Sequence, residues 1–321
     1  MAEQVLVADI GGTNARFALA DAVTHAIGET ENFRAEDFET IADAAHAYLE
    51  STGERPKAAC FAVAGPVGGP ESDDEITFTN SHWKFRPDEI RKALNLQRFL
   101  PVNDFYALAS SIHHLPGDYF SPVKAGEGDA SAPTLVIGPG TGLGQALIVP
   151  FGEKRRVVPT EGGHVSFAPR KDEEIAVLKF IAREHPRVSV ERLLSGRGLV
   201  NIHRALCSLS DTQRISLRAD EITAAAIEGK YPIAVKAVDM FCAVLGRVAG
   251  DAVLATGARG GVVLGGGILP KIRDIFMKSA FVERFVDKGR MRDYVDKAPV
   301  RLIIKEGAAL IGAGAALQEP A

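Results

Sequence analysis

Cysteine is scarce in this chain: three in 321 residues, Cys60, Cys207 and Cys242, with no CxxC or Cys/His spacing among them. Their isolation excludes a disulfide framework and a structural zinc site, and it fits a reducing compartment. Long apolar runs are missing as well. Gly307 to Leu317 is too short and too rich in Gly and Ala to span a bilayer, which takes roughly 18 residues or more. Ala2-Glu3-Gln4 passes straight into a strand pattern, so no signal peptide is expected. Basic residues are not in excess. The formal net charge is −4 and no basic stripe stands out, which argues against nucleic acid as a partner. These absences lead to the expectation of a soluble cytoplasmic protein with neither a nucleic-acid nor a membrane partner.

In bulk composition the chain is an ordinary globular protein, 46% hydrophobic and 24% charged. Its 321 residues exceed the size at which one core stops growing, so two domains are expected. The informative feature is a pair of glycine turns. Val5 to Leu19 (VLVADIGGTNARFAL) and Leu135 to Val149 (LVIGPGTGLGQALIV) each read apolar strand, Gly/Thr turn, apolar strand. Glycine lets backbone N–H groups approach an anion with no Cβ in the way, and Thr adds a hydroxyl donor. Asp9 is a lone carboxylate at the mouth of the first turn. Two such turns about 130 residues apart suggest a phosphate chain gripped from two sides. Neither ends in the Lys-Ser/Thr of a Walker A loop. Neither is a dinucleotide fingerprint, because Gly138, Gly140, Gly142 and Gly144 alternate and Gln145 to Val149 reads as a strand rather than a helix. Two tight hairpin turns without a ligand are the plainer alternative.

Strand and helix patterns alternate through the first third of the chain, which indicates α/β layers. Phe38 to Leu49 reads as a helix and Ala58 to Ala64 as a buried strand. Asp88 to Leu96 reads as a helix with Pro87 at its first position. Phe99 to Val102 is a short strand running into Asn103-Asp104, which open a helix from Phe105 to Leu115. Lys124 to Pro133 reads as a connector. The second hairpin then restarts the theme, as an internal duplication would. Asp172 to Thr256 is mostly helical, with Val238, Phe241, Leu245, Val248 and Ala252 on one face of a long helix. Gly261 to Gly267 is a strand ending in glycines, Pro270 starts another helix, and Val300 to Ile304 is a strand. A small-residue helix, Glu306 to Leu317, is expected to return to the first domain. The expected domains are therefore 1–114 with 305–321, and 115–304.

Several side chains could carry chemistry. Asp104 lies where a strand gives way to a helix, the end of an open α/β sheet at which ligands bind, although an Asp there is also a common helix cap. Glu161-Gly162-Gly163-His164 sets a carboxylate and an imidazole around two glycines that keep the backbone free of bulk, although a lone His is equally often a packed core or surface residue. Glu191, in Ser189 to Leu199 (SVERLLSGRGL), reads as a first-turn acid with Ser189 as cap, which needs no further role. Asn80 and Trp83 in TNSHW could line a polar pocket, or be a turn residue and a core aromatic. Carboxylates, an amide and an imidazole beside a phosphate-binding frame suit a polyhydroxylated substrate, since each carboxylate can accept from two hydroxyls. A sugar is the natural choice.

At these residues the chain resembles the bacterial glucokinases, of the sugar-kinase and actin superfamily. The resemblance runs through DIGGTNARFAL, TNSHW, NDF, GPGTGLG, EGGHVSFAP, SVERLLSGRGLVN and GGVVLGGGILP, nearly the whole length. It implies an actin-like ATPase (ribonuclease H-like) fold of two α/β domains around a central cleft, and phosphorylation of glucose at its 6-hydroxyl by ATP with Mg²⁺. Carried onto matching positions, it implies Asn103, Asp104, Glu161, His164 and Glu191 as sugar ligands, with Asp104 also the catalytic base. Ala8, Asp9, Ile10, Gly11, Gly12 and Thr13 would form the first phosphate loop, with Asp9 near the metal, through water. Gly138, Gly140, Thr141 and Gly142 would form the second, and Gly265, Gly266 and Gly267 would lie beside the adenosine. Pro139 departs from the more usual Ala and removes one N–H, with little effect expected because the neighbouring glycines keep theirs. The zinc-binding cysteine cluster of the repressor and kinase relatives is missing, which places the chain nearer the zinc-free branch.

The expected chemistry is positioning and charge stabilisation, with the domains closing on the sugar to exclude water. A sugar-sensing regulator would need an appended DNA-binding segment, for which a first strand at residue 4 or 5 leaves no room. A chaperone or filament ATPase would need insertions this length does not hold. A kinase of another hexose (fructose, mannose or glucosamine) is the nearer rival. A homodimer is the default oligomer.

Overall fold

Side-chain alternation decides how the first sheet is covered. The computed structural model describes residues 3–68, 72–78, 81–210 and 216–318. Strand β1 (Gln4–Ile10) pairs antiparallel with β2 (Asn14–Asp21), which pairs antiparallel with β3 (Ile27–Arg34). Leu6, Ala8 and Ile10 point into a core with Phe17, Tyr48 and Phe61, while Val5 and Val7 point into another with Val102, Ala107 and Leu310. The period of two places Asp9 on the second of these faces. Helix α1 (Ile41–Thr52) covers the first face, and β4 (Ala58–Val63) returns parallel to β1. After a small hairpin, β5 (Ile76–Thr77) with β6 (Lys84–Phe85), helix α2 (Pro87–Ala93) leads to β7 (Arg98–Asn103), parallel to β4. The sheet order is β3-β2-β1-β4-β7, and β7 runs directly into α3 (Asp104–Ser111).

The second sheet repeats that plan. Strand β8 (Phe120–Lys124) comes first in the chain but lies at an edge. Strands β9 (Thr134–Pro139), β10 (Leu143–Phe151) and β11 (Lys154–Thr160) form an antiparallel meander. Helices α4 (Asp172–Ile181), α5 (Gly196–Leu209), α6 (Ala219–Glu228) and α7 (Pro232–Thr256) follow, then β12 (Gly261–Leu264), parallel to β9. Short helices α8 (Arg273–Phe276), α9 (Phe281–Val286) and α10 (Arg292–Asp296) precede β13 (Val300–Ile303), parallel to β12. The order is β11-β10-β9-β12-β13-β8, so the first five strands follow the order of the first sheet and β8 is an added antiparallel edge. Val238, Phe241 and Leu245 of α7 are fully buried, as their spacing predicts. Helix α11 (Ala308–Ala316) then packs on α3, with Gly312 against the Ala107 carbonyl so closely that no Cβ would fit. The compact units are Met1–Tyr119 with Lys305–Ala321, and Phe120–Ile304. The expected α/β class in its ribonuclease H-like form is borne out by this repeated strand order. Among the described residues, no helix is long and apolar enough to cross a membrane.

Some local expectations shift. The helix expected from Phe38 starts at Ile41, because Thr40 and Asp43 form a reciprocal capping box and the Phe38 carbonyl instead accepts the buried Trp83 Nε1 at 3.1 Å. The core-aromatic reading of Trp83 therefore holds; Asn80 lies outside the described residues. Glu191 is not in the first turn of α5. It sits in a single 3₁₀ turn, Val190–Arg192, and Ser195 rather than Ser189 caps α5.

Candidate active site

In the first unit, Ile10, Val63 and Asn103 are register partners, so the turns after β1, β4 and β7 open at one sheet edge. Gly11 donates to the Asn14 carbonyl at 2.9 Å and closes the first turn, while the Thr13 carbonyl accepts the Ala35 amide at 2.8 Å. The amides of Gly12 and Thr13 have no acceptor among the described residues, leaving two adjacent donors of the kind that bind anions. Asn103 Oδ1 caps α3, accepting from the amides of Phe105 at 2.9 Å and Tyr106 at 3.3 Å; its Nδ2 donates to the Gly65 carbonyl at 3.2 Å. With Asn103 as the cap, Asp104 is the first residue of the helix. Its Oδ1 accepts the Phe105 amide at 2.9 Å.

Asp104 is electrostatically unusual. Burial, and secondarily the nearby Asp9 carboxylate, push its carboxyl up from 3.8 to about 7, against the opposing pull of the Phe105 amide. Burial also raises Asp9, and the cation that offsets this is Arg16, its direct cross-strand partner. Arg16 is held in place by Asn32 Oδ1 and Glu306 Oε2, each at 2.7 Å. Two carboxyls raised beside a phosphate-type turn form a proton-accepting, cation-attracting corner. Arg16 was missed in the sequence, although counting outward from the hairpin turn pairs it with Asp9.

In the second unit, the turn Gly162–His164 lies flat on β10. A Cβ at Gly163 would strike the Leu143 carbonyl, and one at Gly162 the Gln145 side chain, which is why two glycines separate Glu161 from His164. The two side chains are exposed, with His164 Nε2 at 3.7 Å from Glu161 Oε2. Arg187 Nη2 holds the His164 carbonyl at 2.7 Å. A backbone clip, Val190 to the Val165 carbonyl at 2.9 Å and Phe167 to the Val188 carbonyl at 3.0 Å, brings Glu191 alongside. Glu191 Oε2 in turn accepts the Leu143 amide at 2.9 Å.

The second and third glycine turns are packed on each other. Gly138 abuts the Gly265 backbone, and Gly266, at φ +81°, abuts Pro139, so neither Gly138 nor Gly266 has room for a Cβ. The amides of Thr141 and Gly142, and those of Gly266 and Gly267, have no acceptor among the described residues. Gly140 is held from outside by Gly196, the first residue of α5, whose amide donates to the Gly140 carbonyl at 2.9 Å. Thus Asp9, Asn103, Asp104 and the first turn are gathered in one unit. Glu161, His164, Glu191 and the other two turns are gathered in the other. Among the described residues no three His, Cys, Asp or Glu side chains cluster as a metal site.

A family model described as Glucokinase matches residues 6–320. The chain is 40% identical to a glucokinase of Hahella chejuensis over 321 residues, covering 99% of this chain and 98% of that one. It is also similar to the crystal structure of a glucokinase from an Antarctic psychrotroph, with a TM-score of 0.86, 36% identity and 99% of each chain covered. The glucokinase from Balamuthia mandrillaris, solved in complex with glucose, shares the fold, with a TM-score of 0.83 at 21% identity over 98% of this chain and 93% of that one.

Proposed function

The chain belongs to the glucokinase family and is an enzyme that phosphorylates glucose with ATP; from that premise we propose which of its residues carry the transfer. Asp104 accepts the proton of the glucose 6-hydroxyl as that oxygen attacks the γ-phosphorus. The bond from γ-phosphorus to the β,γ-bridging oxygen breaks, and ADP leaves. The observation that carries this reading is the Asp104 carboxyl, raised to about 7 beside Asp9 and the first glycine turn. A base with a pKa near the working pH combines the right protonation state with useful proton affinity, and such catalysis contributes about 10²–10⁴-fold.

Glu161, His164 and Glu191 hold the sugar hydroxyls, and Asn103 adds its side-chain amide. Together they aim the 6-hydroxyl along the line of attack. The free amides of Gly12 and Thr13 and of Thr141 and Gly142 receive phosphate oxygens, and Ala8 to Ile10 set the approach to the first turn. Gly265 to Gly267 lie beside the adenosine. Magnesium fits this corner, because two half-buried carboxyls, of which only Asp9 has an offsetting cation in Arg16, leave room for more positive charge. Asp9 would hold the ion through a water, the phosphates supplying other ligands. When bound, it neutralises charge on the β- and γ-phosphates.

A cytoplasmic location, supported by three free buried cysteines, and a two-fold homodimer belong to the same proposal. So does the absence of a nucleic-acid partner, supported by the net charge of −4.

One assay tests the assignment: sugar 6-phosphate formation from glucose, fructose, mannose and glucosamine, each with ATP, ADP or polyphosphate as donor. Fast formation is expected with glucose and ATP. Sugar binding without any sugar phosphate formed from any donor would instead make the chain a sugar-sensing regulator.

A further inference from the structure

Glu191, a carboxylate on the sugar side, is bonded to a turn on the nucleotide side. Its Oε2 accepts the amide of Leu143, the residue at which the second glycine turn re-enters β10. The fit is close, since a Cβ at Gly142 would stand 2.6 Å from the same oxygen. The far side of that turn is held by Gly196, whose amide donates to the Gly140 carbonyl. Between these two anchors lies Ser195, 2% exposed. Its Oγ donates to the Glu191 carbonyl at 2.9 Å and accepts the Gly198 amide at 3.0 Å. A hydroxyl has a single proton, so both directions are fixed. One buried side chain thus sets the backbone of Glu191 and also the first turn of α5, the helix that grips Gly140.

We propose that Ser195 is a positioning residue that makes sugar and nucleotide affinities interdependent through Glu191. The inference rests on Glu191 being a sugar ligand and the turn from Gly138 to Gly142 a nucleotide ligand. With one lone pair of Oε2 committed to Leu143, a sugar hydroxyl donating to Glu191 immobilises a side chain that already holds the turn. A nucleotide that orders the turn likewise orients Glu191 before the sugar arrives. Linkage requires the two effects to be equal.

Calorimetry on the full chain reads this directly, using glucose and the non-hydrolysable ATP analogue AMPPNP, each titrated alone and with the other saturating. In the wild type each ligand lowers the Kd of the other by the same factor, about fivefold or more. In Ser195→Ala that factor falls toward one, while each ligand alone binds within about threefold of wild type, the loss being of coupling rather than of a contact. Ser195→Thr, which keeps the hydroxyl, retains the factor. Gly142→Ala, whose Cβ displaces Glu191 Oε2, lowers it as well and decides the matter if Ser195→Ala does not fold. An undiminished factor in the folded variants, or no coupling in the wild type, overturns the proposal. Glu191→Gln separates the two possible failures. Unchanged glucose affinity in that variant removes Glu191 from the sugar site. Weakened glucose affinity, with coupling intact in Ser195→Ala, removes only the coupling.

Discussion

The two sheets share a strand order and begin with the same hairpin, yet they place different chemistry at the same positions. One pair inside the end of the first hairpin, Asp9 faces Arg16; at the equivalent place in the second, Gly138 faces Gly144. The fifth strand of the shared order ends in Asn103 and runs into Asp104 in one unit. In the other it ends in Ile303 and is followed by Ile304. One copy supplies ionisable side chains. The other has bare backbone, packed so tightly that Gly138 and Gly266 admit no Cβ, and so offers amides. In the proposed reading both copies offer turn amides to phosphate, and only the first adds a proton acceptor at the end of its fifth strand.

Removing the charge from the first copy has the largest expected effect. Asp104→Asn should lower turnover by two or more orders of magnitude, the size of a lost general base. Glucose affinity, read by calorimetry, should stay within about tenfold, because the amide still hydrogen-bonds the sugar. Adding bulk to the second copy breaks the other half. Gly138→Ala must push the Gly265 backbone away, costing about 1–3 kcal/mol in denaturant unfolding. It should raise the KM for ATP while leaving glucose binding without nucleotide nearly unchanged.

The smallest effect sharpens the contrast. On unfolding, the Asp104 carboxyl returns to its ordinary 3.8 from about 7, so the folded chain binds the extra proton between those values. Its stabilising contribution is complete below about pH 4 and is lost as pH rises through 7. Asp104→Asn should therefore match the wild type in acid and exceed it above pH 7 in thermal unfolding.

Much of this division was legible in the sequence, and the legible parts share a physical reason. Glycine turns, strand ends and a strand-to-helix junction are local, so GGTN, GPGTG and Asn103-Asp104 could be placed from neighbours alone. The Thr40 cap was equally local, since Thr-x-x-Asp before an apolar run is a helix start, but Phe38 extended the apolar pattern and masked it. Ser195 was not legible. Both Ser189 and Ser195 precede good helical sequence, and only the backbone clip from Val165 to Val190 decides that Ser189 belongs to an extended segment. The elevated Asp104 was also hidden, because it depends on which face of β1 carries Asp9 and on α3 covering that face.

The most direct measurement is the pH dependence of kcat/KM for glucose in the wild type and in Asp104→Asn, from pH 5.5 to 8.5. The wild type should fall about tenfold per pH unit below an apparent pKa near 7, while the residual activity of the variant stays flat across that range. The same acid limb persisting in Asp104→Asn would assign the titrating base to another group and contradict the account.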